Sequence, residues 1–306
     1  MTQREAVTKP CTQDKIGGHT LVEAIVALGL MLLVMAGVIS MVFHTSRLAR
    51  SHPDRFELHQ RARVALDLIS RDLRMAGAGV YLGPATGPLG HSIPAIWPRR
   101  IGRGGDAPME VRTDALTIVT VPDTLAQTRS LSNVSPTSLT LIVDPAAHCT
   151  PSRPACGFGV GTTIGVFEPS GRLGLWSVDR VTGQTLSLEA LSTSDDVHEA
   201  GAVVTEVLVR GYRRDASTNQ LRYFDGDVTD QPVIDGVTAL AFAYFDDHVE
   251  LSAGVFGDGP WRSSGTTMFD EDVLRVRRVR VSITLVAGAA TYSAVVDVAP
   301  RNGRPS

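Results

Sequence analysis

The feature that most constrains this chain is an apolar run near its start. Residues 24–43, AIVALGLMLLVMAGVISMVF, form 20 consecutive positions without a charged side chain. At 1.5 Å per helical residue this run extends about 30 Å, which matches the hydrocarbon thickness of a bilayer. One carboxylate, that of Glu23, stands directly before the run. The sequence therefore predicts a membrane-spanning helix that begins at an acidic residue.

The segment before the run is polar and ends in a candidate processing signal. Residues 1–18, MTQREAVTKPCTQDKIGG, contain no apolar stretch and finish with the pair Gly17-Gly18. A secretory signal peptide is cleaved after its apolar segment, whereas the candidate signal here precedes it. Cleavage after Gly18 would leave the membrane helix on the mature protein, with His19 as its first residue.

The stretch GGHTLVEAIVAL resembles the processing site of type IV pilins and type II secretion pseudopilins. In that family the prepilin peptidase cuts after a glycine and methylates the new amino terminus, and the fifth residue after the cut is glutamate. The resemblance implies cleavage between Gly18 and His19, methylation of His19, and Glu23 at the fifth position. The sequence departs from the family at His19, where phenylalanine or another apolar residue is usual.

The same resemblance implies a role for Glu23 in assembly. An ionised side chain inside a bilayer costs about 3 kcal/mol on insertion scales, and less near the interface, unless a cation pairs with it. In the family, this glutamate forms a salt bridge with the amino-terminal ammonium of a neighbouring subunit and so fixes the register of the filament. The alternative is an interfacial glutamate that only marks the start of a signal anchor.

A second helix is predicted after the apolar run, with Pro53 kinking or briefly breaking the join. Apolar residues at steps of three and four indicate an amphipathic helix that packs on a sheet; they are Leu58, Ala62, Ala65, Leu66, Ile69, Leu73 and Ala76. Gly77 and Gly79 are expected to end it. The stretch RARVALDLISRDLRMAG also resembles PilW-like minor pilins and J-type minor pseudopilins, at Arg63, Leu66, Ile69, Arg71, Asp72, Leu73, Arg74, Ala76 and Gly77.

The rest of the chain predicts β-structure. Residues 80–106 are rich in Gly and Pro and are expected to form a long surface loop. Strand-like runs follow, and many alternate apolar with polar residues, which indicates antiparallel strands with one buried face; they are 114–121, 138–143, 161–168, 174–181, 203–215, 221–226, 239–246, 276–287 and 291–299.

These patterns together predict an α+β fold. As the resemblance to pilins implies, a long N-terminal helix, with a membrane half and an amphipathic half, would pack on a C-terminal antiparallel β-sheet domain. The predicted domains are a cleaved leader at 1–18, a transmembrane or filament-core helix at 19–44, an amphipathic helix at 45–77, and a β-rich globular domain at 78–306.

Three cysteines occur, at Cys11, Cys149 and Cys156. The last two enclose a short loop, CTPSRPAC, and a disulfide between them would stabilise the fold by about 2.5 kcal/mol. Since the apolar run argues for export, the disulfide is favoured over two unrelated cytosolic thiols. Removal of residues 1–18 would take the odd cysteine with it.

The sequence offers no catalytic constellation. It lacks the P-loop, GxSxG and HExxH motifs and a Cys/His spacing suited to zinc, so no enzyme activity, cofactor or metal is predicted. Asp225, Asp227 and Asp230 in FDGDVTD could offer oxygens to calcium, but a solvated hairpin turn is favoured because the loop lacks the Gly and Glu of an EF-hand. A net charge of −3 gives no indication of nucleic-acid binding.

The function that the resemblance implies is structural. The chain would be a minor pilin that takes part in type IV pilus assembly, in filament priming or a tip complex. Its partners would be the prepilin peptidase, other minor pilins, the major pilin and the inner-membrane assembly platform, with membrane lipid around the helix before assembly. It would cross the bacterial inner membrane once, keep its C-terminal domain in the periplasm, and then enter the filament or pseudopilus.

Two alternatives remain beside this interpretation. Within the same class, a minor pseudopilin of a type II secretion system would use the same helix pattern and would have other pseudopilins as partners. In another class, a signal-anchored periplasmic binding module would never polymerise. A membrane-tethered hydrolase is disfavoured because the catalytic motifs are missing.

Overall fold

The structure, a computed structural model, describes most of the chain from Thr20 onward. It covers residues 20–79, 94–107, 110–122, 127–145, 149, 154–168, 172–191, 197–227, 230–247, 249–257 and 271–301, with 46–54, 253, 257 and 271 described by backbone alone. The chain divides into two compact units, with the boundary between Pro53 and Asp54.

One long helix, α1, spans Leu21–Met75. It passes through Pro53 without a break, so the predicted break does not occur, while the kink that was its alternative stays a prediction. Proline removes a single helical donor, and the hydrogen bonds of the neighbouring turns persist on both sides of it.

The elements after α1 are mostly strands. In chain order they are β1 (Ile96–Trp97), β2 (Ala115–Thr120), β3 (Gln127–Arg129), β4 (Thr140–Ile142), β5 (Thr163–Phe167), β6 (Leu173–Thr182), β7 (Thr185–Ala190), β8 (Val203–Glu206), β9 (Leu208–Asp215), β10 (Gln220–Phe224), β11 (Asp230–Asp235), β12 (Val237–Asp246), β13 (Val249–Leu251), β14 (Arg278–Ala287) and β15 (Ala290–Val298). A short helix, α2, spans Ala253–Gly257, and 3₁₀ turns span Pro154–Gly157 and Glu271–Arg275.

The strands form three sheets rather than the single sheet that the sequence predicts. The first sheet has the order β1-β2-β9-β10-β11, the second β13-β12-β14-β15, and the third β3-β8-β5-β6-β7-β4. Every strand pair within the described residues is antiparallel, as predicted. A long N-terminal helix followed by antiparallel sheets confirms the α+β class.

The amphipathic part of α1 packs where its sequence pattern predicts. Leu58, Ala62, Ala65, Ile69, Leu73 and Ala76 are all buried, and Leu66 packs against the same cluster at half-burial. They share one hydrophobic cluster with the inner faces of the first and second sheets, including Trp97 and Tyr212. The third sheet holds a second cluster of its own, around Ile164 and Trp176. Apolar periodicity alone was therefore enough to find the buried face of this helix.

Two sequence predictions fail in the β region. Residues 203–215 were predicted as one strand, but the run divides at Val207, so that β8 belongs to the third sheet and β9 to the first. Residues 80–106 were predicted as a surface loop, yet Ile96 and Trp97 form the buried strand β1. Residues 80–93 of that loop lie outside the described residues.

Candidate functional site

Glu23 lies in the first turn of α1 and is bonded to Thr20. Its Oε2 accepts a hydrogen bond from the backbone N–H of Thr20 at 3.1 Å and lies 3.4 Å from the Thr20 hydroxyl. In return, the N–H of Glu23 donates to Oγ1 of Thr20 at 3.4 Å. This reciprocal pattern is a capping box, which satisfies two donors that the start of a helix leaves open. Glu23 is therefore held in place by its own helix end.

The helix that follows Glu23 is apolar and uncovered. Leu21–Thr45 is long and apolar enough to cross a membrane, and none of the side chains in the apolar window is buried. Even large side chains such as Leu33 and Met41 are about as exposed as on an isolated helix. The hydroxyl of Thr45, near the end of this span, donates to the backbone oxygen of Met41 at 2.7 Å. An apolar surface of this size requires lipid or another protein to cover it.

The predicted cleavage and methylation residues, Gly17, Gly18 and His19, lie outside the described residues, as does Cys11. Thr20 is the first residue that the structure describes, and α1 begins directly after it. The predicted processing of this segment therefore stays a prediction.

Asp72 ties the amphipathic part of α1 to strand β9. Its Oδ1 accepts from Nη1 of Arg210 at 2.8 Å, and its Oδ2 accepts from the hydroxyl of Tyr212 at 2.6 Å. Nε of Arg71 lies 3.5 Å from Oδ1. Burial and then the hydrogen bond to Asp72 raise the pKa of Tyr212 above its usual value, so the hydroxyl keeps its proton and donates. The carboxylate is buried and has partners for both oxygens, which fixes the helix on the sheet.

The face of α1 that points away from the core carries arginines. Arg63 and Arg71 are 76% and 69% exposed, and Arg74 is exposed as well. Nε of Arg63 lies 3.6 Å from Oδ2 of Asp67 one turn later, and Nε of Arg71 lies 3.5 Å from Oδ1 of Asp72. Three apolar side chains share this face: Phe56, Val64 and Met75.

Cys149 and Cys156 are joined by a disulfide, with their Cα atoms 4.4 Å apart. This confirms the predicted pairing. Cys156 is buried in the hydrophobic cluster of the third sheet, and Cys149 packs against the same cluster. The disulfide therefore lies against the core of the third sheet.

The three aspartates that suggested calcium are engaged in other contacts. Asp230 pairs with Arg213 and Arg222, and Asp227 pairs with Arg103, while Asp225 accepts the N–H of Asp227 at 3.1 Å. Within the described residues no group of three or more His, Cys, Asp or Glu side chains is arranged to hold a metal ion. Arginine side chains pair with Asp227 and Asp230 in this structure.

Comparisons with known proteins give one informative match. The chain is 41% identical over 61 residues to a pilin-like protein, PilA3, of Thermus thermophilus, and this match covers 20% of the chain and 26% of that relative. It supports a type IV pilin-like family. The match and the apolar N-terminal helix together fit a single-pass, membrane-anchored, pilin-related protein.

Two wider comparisons find nothing. No family model matches the chain. No solved structure matches it either. The support for a pilin-like family therefore rests on the partial match and on the apolar helix.

Sequence reasoning missed two contributions to these sites. The role of Thr20 as a helix cap was visible in the spacing Thr-x-x-Glu, which is the signature of a capping box. The partners of Asp72 were not visible, because Arg210 and Tyr212 are 138 and 140 positions away along the chain. Contacts over such separations depend on the sheet order, which the sequence pattern does not specify.

Proposed function

We propose that this protein is a minor pilin-like structural subunit that takes part in type IV pilus assembly, and not an enzyme. The observation that carries the proposal is the helix Leu21–Thr45, which exposes its apolar side chains along the whole span and has a single carboxylate, Glu23, in its first turn. Such a helix can lie in lipid before assembly and against identical or similar helices afterwards. The pilin-related match supports the same role.

In this proposal the prepilin peptidase cleaves after Gly18 and methylates the amine of His19. The new ammonium of one subunit then pairs with the carboxylate of Glu23 on its neighbour. In this proposal the protein acts at filament priming or the tip, as PilW-like minor pilins do. The resemblance to that subset supports it, at Arg63, Leu66, Ile69, Arg71, Asp72, Leu73, Arg74, Ala76 and Gly77. The partners would be other pilins and the inner-membrane assembly platform, with the domain after α1 on the periplasmic side.

The chemistry proposed for Glu23 is compatible with its capping role. Glu23 offers four lone-pair directions on two oxygens, and Thr20 occupies those on Oε2. Oε1 has no hydrogen bond within the described part of the helix end, so an ammonium could approach it without opening the capping box. A charge-assisted bond between the two would also offset the cost of keeping the carboxylate near lipid.

The first prediction tests this salt bridge through the conservative variants of Glu23. Glu23→Gln keeps a side-chain oxygen that can cap the helix but removes the charge, whereas Glu23→Asp keeps the charge on a shorter side chain. We expect filament incorporation to fall about tenfold or more for Glu23→Gln, since a charge-assisted hydrogen bond near lipid is lost. Incorporation is measured by quantitative immunoblotting of sheared filaments in a strain that lacks the native gene.

Membrane insertion provides the control for that experiment. Glu23→Gln protein should fractionate with the inner membrane as well as the native protein does, because the apolar span is unchanged. The mature N-terminus, read by mass spectrometry, should start at His19 and carry a methyl group. A mature chain that still starts at Met1 would favour a signal-anchored module that does not polymerise. Full incorporation of the Glu23→Gln protein would contradict the proposed salt bridge.

A further inference from the structure

Strand β15 is a long, regular edge strand. All nine of its residues pair with β14, from Val298 opposite Val279 to Ala290 opposite Ala287, and the register has no irregularity. Across the described residues, no strand pairs with the other side of β15, and no other described segment makes a backbone hydrogen bond with residues 290–298. One full row of backbone donors and acceptors is therefore open in the described structure.

The other sheet edges in the described part of the chain are shorter or interrupted. Strands β1, β3, β4 and β13 have two or three residues each, and β11 contains Pro232. Natural edge strands are usually kept short, bulged, charged or broken by proline, which prevents pairing with other chains. In β15 the charged residue is Asp297, and its carboxylate is held by Arg278 at 3.0 Å and by Arg280 at 2.8 Å. Strand β15 therefore lacks the usual protection.

Contacts at both ends of β15 place it beside α1. At one end the ring of Tyr292 meets the ring of His59 edge-on, with 5.1 Å between centroids. At the other end the N–H of Arg301, three residues past β15, donates to the backbone oxygen of Arg74 at 3.2 Å. Arg63 lies one helical turn after His59 and so follows the same side of the helix. A strand added to β15 would therefore run beside Arg63 and Arg74.

The surroundings of β15 are basic, although the whole chain has a net charge of −3. Within residues 59–75 of α1, strands β14 and β15, and position 301, there are seven arginines and three aspartates. They are Arg61, Arg63, Arg71, Arg74, Arg278, Arg280 and Arg301, and Asp67, Asp72 and Asp297. Asp297 is shared by two of these guanidinium groups. Arg63 has one exposed partner, at 3.6 Å, which contributes little in water. This excess of positive charge favours binding of a protein segment that carries acidic side chains.

We propose that the open edge of β15 binds an extended acidic segment of another protein chain, which adds to the second sheet as a further strand. Its backbone would complete the open row of hydrogen bonds, and its acidic side chains on the α1 side would contact Arg63 and Arg74. Neither the processing of the N-terminus nor filament assembly is needed for this interaction, so its test is independent of the proposed function.

The test uses the full chain in detergent micelles and three labelled peptides of the same length as β15. The first alternates Glu with Val, the second alternates Lys with Val, and the third is the Glu peptide with a central proline. Binding is measured by fluorescence anisotropy. We expect the Glu peptide to bind, the Lys peptide to fail, and the proline peptide to bind at least about tenfold more weakly because it cannot complete the ladder.

Charge variants then localise the contact. The double variant Arg63→Gln/Arg74→Gln should weaken the Glu peptide about fivefold, since two exposed ion pairs are lost. Arg180→Gln is the matched control, because it removes a charge from an exposed arginine on β6 in the third sheet and should leave binding unchanged. In the native protein without peptide, every second backbone amide of β15 should exchange its hydrogen rapidly. Addition of the Glu peptide should slow the exchange of these amides.

Three results would overturn the proposal. The first is failure of the Glu peptide to bind, or equal binding to the native and double-variant proteins. The second is protection of every β15 amide in the free monomer, which would mean that the chain covers its own edge. The third is a dimer whose formation protects β15, which would make a second copy of this chain the occupant.

Discussion

At the scale of single residues, two buried tyrosines show how differently one side chain can contribute. The hydroxyl of Tyr212 donates to Asp72 at 2.6 Å. The hydroxyl of Tyr244 is buried too, but it has no hydrogen-bond partner among the described residues, and its ring packs edge-on against Phe256 at 5.4 Å. Burial raises the pKa of Tyr244, which therefore stays neutral. The Tyr212 hydroxyl therefore links α1 to β9. The Tyr244 hydroxyl loses its hydrogen bonds to water on folding and gains no partner among the described residues.

We predict opposite effects for the same substitution at these positions. Tyr212→Phe should lower the free energy of unfolding by about 1.5–3 kcal/mol, because the hydrogen bond that the Tyr212 hydroxyl donates to the carboxylate of Asp72 is lost. Tyr244→Phe should leave it unchanged or raise it by about 1 kcal/mol, because an unsatisfied buried hydroxyl is removed. Guanidinium unfolding of the full chain in micelles measures both values. Similar losses for the two variants would contradict this account of Asp72.

At the scale of elements, the end of α1 is set by a close approach to β2. Past Met75, Gly77 and Gly79 adopt φ values of 74° and 77°. The N–H of Gly77 donates to the oxygen of Val119 at 3.2 Å, and the N–H of Val121 donates to the oxygen of Ala78 at 2.8 Å. The predicted helix stop at these glycines is confirmed, and it also joins the helix end to the first sheet.

Gly79 and Gly104 both have a positive φ, but only at Gly79 would an added side chain also overlap with another part of the protein. A Cβ at Gly79 would lie 1.9 Å from the backbone oxygen of Val121, whereas a Cβ at Gly104, where φ is 69°, would meet nothing within 4 Å. We predict a loss of about 3 kcal/mol for Gly79→Ala, from strain and overlap together, and about 1 kcal/mol for Gly104→Ala, from strain alone. Thermal unfolding of the two variants measures the difference, and equal midpoints would argue against the close approach.

Much of the element content follows from the sequence, and its failures have physical causes. Strand β14 was predicted because its apolar and polar residues alternate, whereas β2 was predicted because it is a short run rich in apolar and β-branched residues. Strand β11 was missed, since it contains Pro232 and three charged or amide residues and pairs only as an edge. The division at Val207 was missed because a chain that changes sheets without a turn residue leaves no local signal.

The candidate site was predictable to a similar extent. The apolar span was found because membrane solvation acts on every residue of a run. The pairing of Cys149 with Cys156 was found because the two cysteines enclose a short loop and the apolar run argued for export. The partners of Asp72 and the open edge of β15 were not found, because both depend on which strands become neighbours, and that order is set by the packing of the whole domain.

At the scale of the whole molecule, arginine–carboxylate contacts join segments that are far apart in sequence. Arg103 contacts Glu189 at 2.8 Å and Asp227 at 3.3 Å, and so ties the segment after β1 to the third and first sheets. Nearby, Asp106 is buried and accepts from Arg100 and Arg112. Burial acts to raise the pKa of Asp106, but the hydrogen bonds and charges of Arg100, with the charge of Arg112, outweigh it and lower the pKa below 3.8.

This balance predicts how stability depends on pH. Because the pKa of Asp106 is lower in the folded state than its ordinary value of 3.8, its contribution is fully present above that pH and is lost as the pH falls through the folded-state pKa. Asp106→Asn should therefore be less stable than the native protein at neutral pH, with the difference shrinking below about pH 4. Unfolding midpoints recorded across this range test the prediction, and a pH-independent difference would contradict it.

The capping box at the start of α1 has a consequence for any encounter of this helix with a partner. Hydrogen bonds between Thr20 and Glu23 stabilise the first helical turn within the same chain, so no second molecule is needed to nucleate this turn. A docking surface would meet a terminus that is already rigid and would lose little of its binding free energy to ordering that end. Binding at this terminus would therefore resemble rigid-body docking more than the folding of a disordered segment on its partner.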